Sequence, residues 1–570
     1  MGLLLLCAAL YLPGFFTIPA IDRDEARFAQ ASRQMAAAES WHGWVVPMVQ
    51  ERPRLQKPPL IYWLQATAAR LCTDQFRGRG AEAVERDSIW MYRIPSLLSA
   101  LVTVIVVWRW AAAAFAPRIA LLAGVLMAVN PLMFWETRQA RADMLLLACT
   151  AVAMWAGWEV VRRARFHRSS VLWVVTFWAA VSLGTLAKGP ITPMVAVLGV
   201  LVHAMVRGEW RWVRIFRPVV GGVLALAPIG LWVWLVSREI DLSVYAATIR
   251  AETIGRASAA MEGHGGPAGY HAVVMYLMFL PGCMVVALGV WRAVRRGFSW
   301  WVPRGFGWWA GVRAAVGSAR ASSSAECYLL CVLVPGWLIF EVSGTKLPHY
   351  ALPLYPVLAL LAARAVYAGA RLAGVRSARV GRLLWVWAAG VVAFCLAVGA
   401  FVAMVPQSLG LGWTVLAVAM ALGGAAAMAW VAVKWVSARG LLCLQTGSLG
   451  AVGVSMATFG LVAGSIADIR VSRELAGMIS AEGTGGRPIA AVGWHEDSLI
   501  FETRGRSRRI DEWKLKAWLA EHDSPERRAL IVMERERFER WPPMREVGAV
   551  KGFNYSNGKR VDLVVAEMTR

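Results

Sequence analysis

Apolar runs of about 20 residues recur from the start of the chain to about residue 465. A helix needs about 20 apolar residues to cross the hydrocarbon of a bilayer, whereas a barrel strand needs about ten. Only helices and closed barrels satisfy the backbone inside lipid. The run length therefore selects a polytopic α-helical membrane protein. Composition agrees: 58% of the 570 residues are hydrophobic, 17% are charged, and 30 are Trp. About thirteen spans are expected, the first over residues 2–20 and the last over 442–465. They include runs at 118–136, 190–206, 270–290 and 349–368. Residues 1–20 lack a basic leader, so an uncleaved first span is expected rather than a signal peptide.

The net charge is +24. It does not point to nucleic acid, because the basic residues sit in short loops between apolar spans, where membrane proteins keep them. Cys7, Cys149, Cys283, Cys395 and Cys443 lie inside apolar runs, and no disulfide framework or zinc spacing is present.

Loops after even-numbered spans carry "RRARFHR", "RGEWRWVRIFR", "RLAGVRSARVGR" and "KWVSARG", with almost no acids. The positive-inside rule makes them cytoplasmic. The N-terminus is then inside, and three features face outward. These are the first loop 21–89 with its interfacial helices, the loop 237–269, and the tail from 467 to 570. The membrane domain is expected over 1–466. In the tail, "RPIAAVGW", "SLIFET", "RALIVME" and "RVDLVVAEM" read as strands and "DEWKLKAWLAEH" as a helix. A small α/β domain, in the periplasm if the cell is bacterial, is the expectation.

The outward loops hold cations against the topological bias, which asks for an anionic ligand. "IDRDEAR" follows the first apolar run directly. Asp22 and Glu25 have capping-box spacing for a helix over 23–38. Asp24 and Glu25 lie on adjacent faces, so one of them can face the interface and take a proton from an incoming hydroxyl or amine. In "LQKPPLIYWLQATAARL", Pro58 and Pro59 start an interfacial helix whose apolar face is expected at 60, 63, 64 and 71. Lys57 stands at its N-terminus, a phosphate-binding arrangement. Arg138 and Arg141 of "RQARAD" are i,i+3 and are expected to share a helix face, with Asp143 as their partner. Lys188 in "TLAKGP" and Lys346 in "GTKLPHY" occupy tight returns on the same side. His349 and Tyr350 follow Lys346. In the loop 237–269, Glu252 and Arg256 are i,i+4, and "EGHGGPAG" carries His264 in a lid-like Gly-rich stretch.

The ordered series "DRDEARFAQASRQM", "KPPLIYWL", "RQARAD", "LAKGP" and "GTKLPHYALPLYPVLAL" resembles the aminoarabinose transferase and protein O-mannosyltransferase type of membrane glycosyltransferase. The resemblance covers about residues 1–370. It implies a C-type glycosyltransferase fold in a bacterial inner membrane. It also implies transfer of a sugar from a polyprenyl (undecaprenyl) phosphate to a lipid A-like or other envelope acceptor at the outer face. Carried over residue by residue, it makes Asp24 the base, with Glu25 beside it, and puts Lys57 on the phosphate side. Arg138, Arg141, Lys188 and Lys346 complete the expected phosphate site. Glu252, Arg256, His264, His349 and Tyr350 are expected around the substrate. Gln56 stands where the aminoarabinose enzymes commonly have Glu, and Phe28 where they have Tyr. The Gln removes a possible ligand, which leaves a divalent metal and the identity of the sugar open, with His264 the candidate ligand.

The chemistry agrees with this reading. A polyprenyl phosphate is an acceptable leaving group, so the need is for fixed cations that stabilise charge growing on its oxygens. A carboxylate takes the acceptor's proton, in a single inverting displacement. A transporter or flippase of an anionic lipid is the alternative. It would place polar sites near the midplane on broken helices, whereas the charges here lie at one surface. The topology is checked with a cysteine at Arg165: the expected outcome is labelling from the cytoplasmic side, and labelling of intact cells from outside would contradict it.

Overall fold

The computed structural model describes residues 1–20, 23–74, 86–165, 170–250, 265–280, 282–297, 325–372, 469–481, 486–541, 543–554 and 559–569, with isolated positions between 423 and 456. Among the described residues, six helices are long and apolar enough to cross a membrane. They are Ile89–Ala114, Asp143–Ala164, Val171–Lys188, Pro218–Glu239, Ala325–Val342 and Pro348–Tyr367. A seventh span arises if Pro117–Ala128 and Pro131–Thr137, bent by 58°, count as one. The expected spans at 383–404 and 412–436, and nearly all of 442–465, lie outside the described residues. Large apolar side chains cover the outward faces; Val219 is 80% exposed and Leu172 73%. A water-facing surface of this kind would be costly, whereas lipid accepts it.

The elements from the first half of the chain set up the site. They are α1 (Gly2–Tyr11), α2 (Arg23–Ala37), α3 (Leu60–Cys72), α4 (Ile89–Ala114), α5 (Pro117–Ala128), α6 (Pro131–Thr137), α7 (Asp143–Arg165), α8 (Val171–Lys188) and α9 (Ile191–Arg207). Three differ from the sequence expectation. The first helix stops at Tyr11, well short of residue 20, because Pro13 and Gly14 follow and Gly14 takes φ 74°. The run 118–136 breaks at Asn130–Pro131, where Asn130 caps α6 by accepting from the Met133 amide. The run 270–290 is two helices, Tyr270–Met278 and Cys283–Gly297.

Helix α3 begins at Leu60, directly after Pro58 and Pro59. It buries Ile61, Tyr62, Gln65, Ala66 and Ala69 rather than the stripe at 60, 63, 64 and 71. Leu64 and Leu71 are exposed. The buried face packs on α2, and the larger apolar stripe is left for lipid, as suits a helix in the interface.

The C-terminal segment folds around a five-stranded sheet in the order Ser507–Arg509, Ile489–Val492, Leu530–Glu534, Lys559–Met568, Met544–Asn554. The first three strands are parallel and the last two antiparallel. "SLIFET" was expected as a strand and is instead the helix Asp497–Glu502. An apolar run this short does not separate the two states.

This unit is riveted to α2 by charge. Arg23 donates to both Glu496 oxygens at 2.7 and 2.9 Å, and Arg27 to Asp497 at 2.6 Å. Arg33 binds Asp87 at 2.6 Å, donates to the Phe501 carbonyl, and lies 3.9 Å over the Phe501 ring. Arg504 reaches the same Asp87 at 3.0 Å. Burial opposes ionisation of Asp87, but Arg33, the Tyr92 hydroxyl and Arg504 outweigh it and hold the carboxyl below its ordinary range.

Glu25 is fully buried against Arg93 of α4, at 2.7 and 3.0 Å. Removing one partner of such a pair leaves a buried charge and costs about 3–5 kcal/mol. Glu25→Gln is therefore expected to lower the unfolding temperature of the purified protein sharply, while Asp24→Asn leaves it close to wild type. Thermal unfolding in detergent measures both.

Candidate active site

Asp24 sits in the first turn of α2, one residue before buried Glu25, and its side chain is 56% exposed. Its partners are Arg54 at 3.3 Å and Arg27 at 3.7 Å. Arg54 follows the short antiparallel pair Met48–Val49 and Arg52–Pro53. It is oriented from two sides: its Nε donates to the Tyr62 hydroxyl of α3 at 3.1 Å, and its guanidinium lies 4.8 Å over the Phe28 ring of α2. Burial disfavours the Asp24 charge, yet Arg54, Arg141, Arg27 and Lys57 together overcome it and keep the carboxyl below its ordinary range. Asp24 is thus an accessible carboxylate held ionised by Arg27 of its own helix and by cations from two other segments.

A second group adjoins it. Arg141 donates to Glu136 at 2.5 Å. His349 lies between two carboxylates, 3.9 Å from Glu136 and 3.6 Å from Asp143. Lys188 binds Asp143 at 2.5 Å and lies 5.6 Å over the Tyr350 ring. The chain reversal that presents Lys188 requires Gly189, which ends α8 at φ 75° and admits no side chain without strain. Pro190 then opens α9.

The structure thus brings together Asp24, Lys57, Arg141, Lys188, His349 and Tyr350 from widely separated stretches. Other expected members are placed elsewhere. Glu25 is committed to Arg93 and to the Ala140 amide at 3.0 Å, so it does not face the site. Arg138 does not share a helix face with Arg141, because α6 ends at Thr137 and the chain turns. Its guanidinium is fully buried and donates to the carbonyls of Pro13, Phe134 and Leu10. Asp143 pairs with Lys188 instead of the neighbouring arginines. Lys346 is spent on the carbonyls of Gly266 at 2.9 Å and Pro267 at 3.3 Å, where it clasps the segment after residue 264. Glu252, Arg256 and His264 lie outside the described residues, as does Asp22. Among the described residues, no three His, Cys, Asp or Glu side chains group as a metal site.

Arg54 and Glu136 were not singled out from sequence. Glu136 had a signal: it is a carboxylate ending an apolar run, and a charge at that depth needs a partner and a purpose. Arg54 had none beyond being one of several cations in its loop, because its aromatic orienters are distant or unremarkable in sequence.

Residues 56–234 match the family model of dolichyl-phosphate-mannose-protein mannosyltransferases. The chain is 26% identical over 365 residues to the undecaprenyl phosphate-α-4-amino-4-deoxy-L-arabinose arabinosyl transferase 2 of Sodalis glossinidius, covering 64% of this chain and 58% of that protein. It is 27% identical over 456 residues to the corresponding transferase of Aeromonas salmonicida, covering 78% and 75%. The match to the Sodalis protein thus spans less than two thirds of that relative's length. In fold, the chain superimposes on ArnT from Cupriavidus metallidurans bound to undecaprenyl phosphate with a TM-score of 0.70 at 20% identity, over 99% of this chain and 96% of that one. By sequence match and by fold, the chain is similar to the multi-pass membrane glycosyltransferases of the aminoarabinose transferase and protein mannosyltransferase type.

Proposed function

We propose that this chain is an integral-membrane glycosyltransferase. It moves a sugar from a polyprenyl phosphate to a lipid or other envelope acceptor at the outer face of a bacterial inner membrane. The observation that carries the reading is Asp24: an accessible carboxylate, held ionised, inside a ring of cations. The relatives are arabinosyl transferases of an undecaprenyl phosphate-linked sugar, and the chain of similar fold holds undecaprenyl phosphate. A pentose or hexose on such a carrier is the donor class. The comparisons do not favour a transporter.

In this reading the whole chain has about thirteen spans, a cytoplasmic N-terminus and a periplasmic unit from residue 467. The loop 237–269, with Glu252, Arg256 and His264, is a lid over the donor sugar. Lys57, Arg141 and Lys188 receive the phosphate. Charge grows on its oxygens as the glycosidic bond breaks, and fixed cations stabilise that charge without reorganising. Asp24 takes the acceptor's proton as its oxygen or nitrogen attacks the anomeric carbon from the opposite face. Lys188 must exchange part of its bond to Asp143 for the phosphate, and His349 lies beside that exchange.

The cations also couple the two halves of the reaction. Before the donor arrives they depress the basicity of Asp24. A bound phosphate neutralises them and raises it, so the base becomes competent when there is something to react with.

Three outcomes follow from this electrostatic arrangement. Asp24→Asn should abolish transfer while expression stays near wild type; wild-type turnover by the purified variant would exclude Asp24 as the base. Lys57→Ala should raise the barrier by about 2–4 kcal/mol, as for loss of one preorganised donor, with turnover falling more than donor affinity. Unchanged turnover and unchanged donor binding would remove Lys57 from the site. Because Asp24 is held below the ordinary carboxylate range, donor kcat/KM should stay flat as pH falls toward about 4. The acidic limb of kcat should lie at higher pH than that of kcat/KM, since the donor-bound enzyme has its cations neutralised. Coincident limbs would contradict the coupling.

A further inference from the structure

We propose that a second cleft, between the first membrane exit and the C-terminal sheet unit, binds the phosphate of an anionic membrane lipid. The cleft is shallow: its interior holds about 20 Å³, and about 330 Å³ when the space open to solvent is counted, and it is lined by Pro19, Ala20, Ile469, Arg470, Trp494 and Phe553 among others. None of its lining residues belongs to the Asp24 cluster, so the proposal stands independently of the transferase reading.

The walls divide into donors and apolar surface. Trp494 is only 4% exposed, and its indole Nε1 is buried without a hydrogen-bond partner. The Nε of Arg470 is likewise buried and unpartnered. A buried N–H that folding leaves unbonded asks for an acceptor. The first turn of the eleven-residue helix Val471–Ala481 lines the same space, and its dipole favours an anion there. Arg473 adds a second guanidinium. Glu496 is the one carboxylate among the lining residues, and Arg23 and Asn554 already bind it. Glu502 faces Arg473 from the neighbouring helix. The Arg470 Nε and the Trp494 Nε1 are thus the two buried donors at the cleft left without an acceptor.

The apolar side selects a lipid over free phosphate. Pro19 and Ala20 close the first apolar run, and Ile469 follows the last one, which ends near residue 465. Phe553, 38% exposed, projects beside them. The end of the first apolar run at one wall sets the cleft near headgroup depth. A lipid phosphate satisfies the donors while its glycerol and first methylenes cover the apolar wall. A free phosphate satisfies the donors alone.

The test uses the full chain, purified in a non-ionic detergent. Thermal unfolding is followed while short-chain phosphatidylglycerol, short-chain phosphatidylcholine or inorganic phosphate is added. Phosphatidylglycerol should raise the unfolding temperature saturably, and phosphatidylcholine and phosphate should do little. Arg470→Gln should shift the phosphatidylglycerol midpoint at least about tenfold, the usual effect of losing one charge-assisted contact. Trp494→Phe keeps the ring and removes only the N–H, and should shift it in the same direction, so the test survives if Arg470→Gln folds poorly. Lys57→Ala should leave the response intact. Wild-type midpoints in both cleft variants would overturn the proposal, as would loss of the response in Lys57→Ala. An equal, variant-sensitive response to inorganic phosphate would overturn the assignment to a lipid.

Discussion

Arg93 spends all five of its N–H donors at one point: two bonds to Glu25, two to the carbonyls of Phe15 and Ile18, one to Pro19. Both partners are fully buried. Taking two such charges out of water costs several kcal/mol each, and only complete hydrogen bonding repays it. The completeness is the point. It forces the chain that leaves α1 to fold back onto α4, and it fixes the first turn of α2 against that helix. Glu25 also accepts from the Ala140 amide, so the turn between α6 and α7 is tied to the same post. Asp24 and the turn before α7 are thereby indexed to this one pair.

The charges of "IDRDEAR" then make sense as a set. On a helix, consecutive residues point about 100° apart, so neighbouring charges serve different partners. Arg23 and Arg27 reach Glu496 and Asp497 of the C-terminal unit, Glu25 goes to Arg93, and Asp24 is left facing Arg54 and the cation ring. Three of these charges build the scaffold, and the fourth, Asp24, faces the cation ring from an exposed position. The two adjacent carboxylates differ in environment alone: Glu25 is sealed and fully paired, and Asp24 is open to incoming groups.

The helical, multi-pass membrane class was legible because span length is a property of contiguous sequence. That Asp24, Lys57, Arg141, Lys188, His349 and Tyr350 come together was legible because each stands near a marked turn at the end of an apolar run. The misreadings have one cause: the deciding partner is far away in sequence. Arg138 looked like a ligand because nothing nearby shows the carbonyls of Leu10 and Pro13. Glu25 looked like a helix cap because Arg93 is 68 residues on. Lys346 looked available until Gly266 and Pro267 closed on it. Isolated cations at a membrane surface are ambiguous between holding backbone and holding substrate. Only the fold says which carbonyls lie within reach.

The central claim is that the cations around Asp24 form a lipid-phosphate site. The most direct measurement is a structure of this chain with undecaprenyl phosphate bound. The account predicts phosphate oxygens at hydrogen-bonding distance, about 2.7–3.2 Å, from Lys57 and from Arg141 or Lys188, with the prenyl chain running down between helices and Asp24 open on the acceptor side. A phosphate bound elsewhere, with Lys57 and Arg141 untouched, would contradict it.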